Sequence, residues 1–235
     1  MSEGPVVLVT GVGPGTGAAV VRRFAEGGYR VAMLARDAER LAGLEDEIDG
    51  AKAYPCNVLD ADALLDVCGR VRAELGDPRA VIHNAVGAAF GSFAEIEPKV
   101  LERNFRINTM GLLHLAQQFT PAMIEAGDGA IIVTGNTAAH RGKARFAGFA
   151  PTKAAQRILA ESMARDLGPK GVHVAYLTID AMIDLEWTRA GPGKGKPDDF
   201  FIQPAAIANE VWHLAHQDRS AWSFDLTIRP FGEEW

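Results

Sequence analysis

The chain has 235 residues, of which 48% are hydrophobic and 23% charged, with a formal net charge of −6. That is enough apolar chain to bury one sizeable core, so a single soluble domain over residues 1–235 is expected, while scattered Lys and Arg in an acidic chain argue against nucleic-acid or anionic-membrane partners. No apolar run approaches the ~20 residues of a bilayer span, and two cysteines, Cys56 and Cys68, suit a reducing cytoplasm better than a disulfide scaffold or a metal site.

The first aliphatic run, residues 5–10, leads into TGVGPGTGAAV, residues 10–20. There Gly11, Gly15 and Gly17 permit a tight turn and close approach of backbone to a ligand, and the helix opening after them presents free N–H groups and its positive dipole end to an anion. A strand, a glycine turn and a helix at the head of a βαβ unit is the context that dinucleotide binding requires, the alternative being a structural turn. The second run, residues 29–34, ends at Ala35, which offers no carboxylate, followed by Arg36 and by Asp37, read as the N-cap of the next helix. Further runs at 51–56 and 79–84 are followed by Asn57 and Val58, and by Asn84 and Ala85.

From Pro98 to Met123 one helix is expected, with Leu101, Phe105, Leu112, Leu115, Phe119 and Met123 on a core-facing stripe. Asn108 falls on that stripe, where an amide must be hydrogen-bonded or cost ~1–3 kcal/mol, so it is a structural or a site residue. A fifth run at 129–134 precedes Asn136 and His140. The segment FAGFAPTKAAQ, residues 146–156, opens another helix with Lys153 in its first turn and Ala155, Ile158, Leu159, Met163 and Leu167 on one face. Runs at 172–179 and 223–230 complete the strands, and between them residues 185–203, rich in Gly, Pro and Lys over 189–200, read as a flexible substrate flap. Strands alternating with helices imply a parallel sheet covered on both faces, with ligands beyond the carboxyl ends of its strands.

The spacing TGxxxGxG resembles the short-chain dehydrogenase/reductase family, and the resemblance extends over nearly the whole chain. HNAVG at 83–87 is similar to that family's NNAG segment, INTMG at 107–111 to the helix motif that carries its active-site asparagine at Asn108, and Lys153 to the lysine of its YxxxK motif. The resemblance implies an α/β Rossmann-type doubly wound sheet of about seven mostly parallel strands, an NADP or NAD cofactor, a small-molecule substrate, and assembly into homodimers or homotetramers. It places Gly11, Gly15, Thr16 and Gly17 at the pyrophosphate. Asn57 and Val58 fall beside the adenine, Asn84 and Ala85 under the adenosine ribose, Lys153 on the nicotinamide ribose, and Ile183 completes the set. Arg36 in place of an acidic ribose ligand resembles NADP-preferring members, because a guanidinium can hold a 2′-phosphate by a charge-assisted contact.

The chain departs from the family where protons move. Phe149 stands at the usual tyrosine position and Asn136 at the usual serine position. Phenylalanine cannot transfer a proton, and losing a positioned acid removes ~10²–10⁴ in rate. Tyr29, Tyr54 and Tyr176 read as strand residues that do not replace it. Asn108, Asn136 and Lys153 remain as catalytic candidates, with His140 or water as proton source; Thr137, Thr152, Asp180 and Asp184 are weaker candidates. Phe146, Phe149, Phe200 and Phe201 are expected to line an apolar pocket. The expected function is NAD(P)-dependent hydride transfer to or from a small carbonyl, alcohol or activated alkene; the alternative is a catalytically inactive dinucleotide-binding sensor or regulatory subunit.

Overall fold

The computed structural model describes residues 4–232. Its strands are β1 (Val6–Thr10), β2 (Arg30–Ala35), β3 (Ala51–Pro55), β4 (Ala80–His83), β5 (Gly129–Asn136), β6 (Val172–Ile179), β7 (Met182–Ile183), β8 (Phe201–Ile202) and β9 (Asp225–Ile228). Its helices are α1 (Thr16–Glu26), α2 (Ala38–Glu47), α3 (Ala61–Leu75), α4 (Pro98–Phe105), α5 (Gly111–Ala126), α6 (Ala150–Leu167), α7 (Glu186–Ala190) and α8 (Pro204–Ala215).

Seven strands pair in parallel in the order β3-β2-β1-β4-β5-β6-β9, the Rossmann-type sheet that the alternating pattern predicts. Because successive strand residues point to opposite faces, Val7 and Val9 enter one core with Phe24, Leu41 and Val211, while Leu8 enters the other with Leu64, Leu115 and Phe119. Each such side chain contributes ~1.5–3 kcal/mol by leaving water, and truncating Leu8 to Ala would cost ~2–5 kcal/mol because it is fully enclosed. Tyr54 and Tyr176 lie in β3 and β6 as expected; Tyr29 immediately precedes β2.

Asp37 and Asp60 cap α2 and α3, accepting from Arg40 N at 3.0 Å and Ala63 N at 3.1 Å. Helix α1 differs. Its N-cap is Gly15, no side chain caps it, and no acidic residue stands in its first turn; the Ala18 and Ala19 amides bond to Gly13 O and Gly15 O, and no side chain covers those of Thr16 and Gly17.

Two expectations are corrected. The single helix over 98–123 is interrupted by a π turn at Arg106–Met110. That wider turn carries an extra residue, which rotates α5 by ~100° relative to α4, so one stripe cannot stay buried throughout. Leu112, Leu115, Phe119 and Met123 are buried, whereas Phe105 is exposed and its neighbour Asn104 is buried, donating to Gly148 O at 2.8 Å. On α6, Ile158 faces solvent; the enclosed face carries Thr152, Lys153, Gln156, Ala160 and Leu167. Residues 185–203 contain regular elements between their turns. Helix α7 reaches Ala190, β7 and β8 pair in parallel as a separate two-stranded sheet, and Asp198–Phe200 forms a 3₁₀ turn. Arg189 ties this segment together through Asp184 and Asp198. No helix among the described residues is long and apolar enough to cross a membrane.

Candidate functional site

A cleft of about 710 Å³ lies where the chain leaves the carboxyl ends of β1, β2, β3 and β4. Its floor is the turn before α1, including Gly11, Gly15, Thr16 and Gly17. Gly11 has φ +68°, and an added Cβ would lie 2.6 Å from Ala85 N; at Gly17 it would lie 2.5 Å from Gly11 O. These glycines are set by backbone meeting backbone, so the turn cannot relax around a side chain. Thr16 Oγ1 is buried at the helix mouth and without a hydrogen-bond partner among the described residues. Arg36, Asn57, Val58, Asn84, Ala85 and Ile183 also line the cleft. The only sequence-derived cofactor position outside it is Lys153.

Three lining residues carry information that pattern reading missed. Arg40 stands beside Arg36; it pairs with Asp37 at 2.8 Å, whereas Arg36 is exposed and pairs with no carboxylate among the described residues. The spacing Arg36 to Arg40, across the start of α2, was the available signal. Leu185 and Trp187, at the start of α7, close the opposite side, with Leu185 Cδ2 only 2.8 Å from where a Cβ on Gly15 would sit.

Behind the cleft the strand ends are joined by side chains. Thr10 Oγ1 accepts from the Asn84 and Ala85 amides at 3.2 Å. Asn84 Nδ2 donates to Gly11 O at 2.9 Å, and Thr134 Oγ1 donates to Asn84 Oδ1 at 2.9 Å. Lys153 Nζ continues the chain by donating to Thr134 O at 3.1 Å and to Gln156 Oε1. The amine is 2% exposed, and desolvation pushes its pKa from 10.5 down to about 7. Burial and the nearby Lys153 hold His83 at about 4, so it is neutral; Nε2 then donates to Asn108 O at 3.1 Å.

The amide of Asn108 is fully engaged within the protein. Oδ1 accepts from Gly87 N at 2.8 Å, and Nδ2 donates to Gly87 O and to Thr152 Oγ1, both at 2.8 Å. It fixes the loop after β4 against the mouth of α6. Asn136 is different: Oδ1 caps the 3₁₀ turn Thr137–Ala139 by accepting from Ala138 N at 3.0 Å, and no described residue accepts from Nδ2. His140 is exposed, with Nε2 2.9 Å from Thr178 Oγ1. Thr152 Oγ1 donates to Phe149 O at 2.7 Å and is thereby committed. Asp180 faces Arg229 at 3.5 Å, and Asp184 accepts from Arg189 and Gln203, which hold its carboxyl down at about 2. Both carboxylates have partners within the protein.

Phe149 is the N-cap of α6 and 4% exposed. Its ring centroid is 5.8 Å from Phe90 and 6.4 Å from Phe146, and those two are 5.2 Å apart. Phe90, which carries no periodic signal in the sequence, thus packs with both of them. Phe200 and Phe201 pack on each other at 5.4 Å, with Arg189 over Phe201 at 4.5 Å. Among the described residues no group of three or more His, Cys, Asp or Glu is placed to hold a metal.

A parallel sheet in this strand order, with a glycine turn opening a helix onto a cleft at the strand ends, defines the Rossmann class of α/β proteins. Within it, the chain belongs to the short chain dehydrogenase family, whose model matches residues 5–182. It is 32% identical over 173 residues to D-erythrulose reductase of Gallus gallus, covering 73% of this chain and 69% of that protein. It is 29% identical over 171 residues to an uncharacterised oxidoreductase of Mycobacterium tuberculosis, of whose length those residues span 50%. A metagenomic short-chain oxidoreductase solved in complex with NADP superposes with a TM-score of 0.83 at 29% identity, over 97% of this chain and 98% of the other. A short-chain dehydrogenase from Rhodopseudomonas palustris gives the same TM-score and identity over 97% and 99%.

Proposed function

We propose that the protein is an NADP-dependent oxidoreductase with an altered proton-transfer site, acting on a small carbonyl, alcohol or activated alkene. The observation that carries this reading is the cleft that gathers the helix amides, the Thr16 hydroxyl, unpartnered among the described residues, and two guanidinium groups. That donor set fits a dinucleotide. The amides of Thr16 and Gly17, at the positive end of α1, would hold the pyrophosphate. Arg36, with Arg40 beside it, would hold a 2′-phosphate, which favours NADP over NAD. Asn57 and Val58 would flank the adenine, Asn84 and Ala85 the ribose, and Ile183 the nicotinamide end. The NADP complex of the metagenomic relative agrees with this choice. When bound, the nicotinamide supplies or accepts the hydride.

The chain's own residues do the rest. Asn136 Nδ2, the donor with no partner among the described residues, orients the substrate oxygen. Phe149 excludes water from one side and gives no proton. Lys153 anchors Thr134 and Gln156 at the back of the site and serves the cofactor ribose. The proton comes from water or from His140, whose exposed ring reaches solvent. Reduction of a polarised C=C bond tolerates such a site better than alcohol oxidation does, because solvent can protonate carbon.

A second reading rests on Phe149, which supplies no proton: the same cleft binding its dinucleotide without turnover, as a sensor or regulatory subunit. Fluorescence titration of NADPH, followed by its absorbance against aldehydes, ketones and enones, separates the two. Binding with consumption supports the oxidoreductase; binding with none on the whole panel supports the sensor. Absence of binding for either coenzyme removes both.

A further inference from the structure

We infer that His173 is a proton-operated clasp, which on taking up a proton ties the end of α8 to the segment that leads into β9. The ring belongs to the second residue of β6 and is 4% exposed. Nδ1 lies 3.0 Å from Leu214 O, in the last turn of α8, and Nε2 lies 2.8 Å from Ser223 O, two residues before β9. Both oxygens can only accept. A neutral imidazole carries one N–H, so it serves one carbonyl and turns the lone pair of its other nitrogen on the second; an imidazolium donates to both. Two further features suit the charged ring. Leu214 O stands at the negative end of α8, among the carbonyls that a helix leaves unbonded, and the Trp222 indole stacks on the imidazole at 4.9 Å and 6°.

No carboxylate neutralises the ring, whose nitrogens have the two carbonyls as their partners among the described residues. The charged and titratable groups of the surrounding segments are engaged elsewhere. Asp218 holds Ser220, Arg219 lies over the Trp222 ring at 5.8 Å and donates to Gly127 O, and Asp128, before β5, pairs with Arg79. Asp225 of β9 pairs with Arg157, Lys170, before β6, with Asp166, and His213 of α8 is 3.4 Å from the Gln217 amide. Glu210, one turn before Leu214 on α8, bonds to neither ring nitrogen. Burial therefore decides the resting state, holding the pKa below the ordinary imidazole value, and the ring is neutral at pH 7. Because the folded value is the lower one, the stability that the neutral ring confers is lost as pH falls below the ordinary value. The same proton, once taken up in the folded protein, supplies the second bond. Gln217 Oε1 accepts from Ser223 N at 2.8 Å, Trp222 Nε1 donates to Gln217 O at 3.3 Å, and Phe224 O accepts from the Tyr176 amide, so residues 217–224 set how β9 meets β6.

The test is a pH series on the full chain carrying isotope-labelled histidine, taken down until the His173 ring charges or the fold is lost. Ring nitrogen shifts report protonation, and amide hydrogen exchange reports residues 217–224. The expected result is one N–H and one bare nitrogen at neutral pH, then two slowly exchanging N–H groups on the acid side. Protection of residues 217–224, corrected for the intrinsic pH dependence of exchange, should rise about tenfold as the ring charges. His173→Phe, which retains a ring against Trp222 without a nitrogen, is expected to show no such rise. Loss of the fold with the ring still neutral, a charged ring whose protons exchange freely, unchanged protection on charging, or the same rise in His173→Phe would overturn the inference. The ring signals of the parent protein decide the matter even where the variant fails to fold, and coenzyme binding does not enter.

Discussion

Lys153 Nζ donates to the side-chain oxygen of Gln156, one turn further along α6, and Gln156 Nε2 donates in turn to Asn108 O at 2.7 Å. A single amide thus joins the buried amine to the π turn that interrupts the preceding helices. Removing it by Gln156→Leu leaves Lys153 and the Asn108 carbonyl each short of a partner in a dry interior. A loss of ~1–3 kcal/mol in urea unfolding is expected. Gln156→Glu should keep the contact and raise the lysine pKa by supplying an opposite charge.

Lys153 gives the stability a pH dependence of definite sign. Its folded pKa is about 7 against an ordinary 10.5, so between those values the unfolded chain binds the extra proton. Stability must therefore rise with pH across that window, and below about pH 7 the full cost of burying the charge is present. Lys153→Met removes the effect. The stability of the parent protein relative to this variant should climb from about pH 7 towards pH 10.5 in paired denaturation curves; a flat difference would show that the amine is not desolvated.

Phe149→Tyr places a phenol at the N-cap of α6, in a pocket that already holds the six-membered ring. If the rest of the site is intact, alcohol oxidation or ketone reduction should rise by ~10²–10⁴, read as NADP-linked turnover of simple alcohols and ketones. A variant that binds NADPH and stays silent would locate further obstruction at Asn136 or Lys153.

Arg36→Ala should weaken NADPH by ~10–100-fold, the worth of one charge-assisted phosphate contact, and leave NADH nearly unchanged. Arg40→Ala should cost less, since its guanidinium is shared with Asp37 at 2.8 Å. Parallel fluorescence titrations of the two coenzymes read both effects. Similar losses for NADH and NADPH would move the arginines away from the 2′-phosphate.

Two glycines of the turn should behave oppositely. Gly17→Ala sets a methyl 2.5 Å from Gly11 O and should lower the melting temperature along with coenzyme affinity. At Gly13 a Cβ meets nothing within 4 Å, so Gly13→Ala should leave the melting temperature unchanged.

The seven strands of the main sheet were legible because each is a short aliphatic run bounded by a turn, and fixing their ends also fixed which residues face the cleft. That is why Gly11, Arg36, Asn57 and Asn84 fall together although they are far apart in sequence. The helical stripes were less reliable. A π turn adds a residue without any marker in composition, so Phe105, expected in the core, is exposed while its neighbour Asn104 is buried. Gln156 was readable in principle, as a polar residue three positions after Lys153 on a face that also holds Ala160. It was passed over in favour of apolar Ile158, which proves to be exposed. Within the segment 185–203 composition shows turns, whereas the bridging of Asp184 and Asp198 by Arg189 is a relationship between charges that local propensity does not register.

The order of the sheet also bears on how the chain is made. β1, synthesised first, lies in the interior between β2 and β4, while the outer neighbour of β6 is β9, which emerges last. β6 has eight residues, every one buried in the finished protein. Until residues 225–228 leave the ribosome, its flank is a bare apolar template open to pairing with other nascent copies, so chains cut short before β9 should aggregate instead of accumulating as soluble fragments.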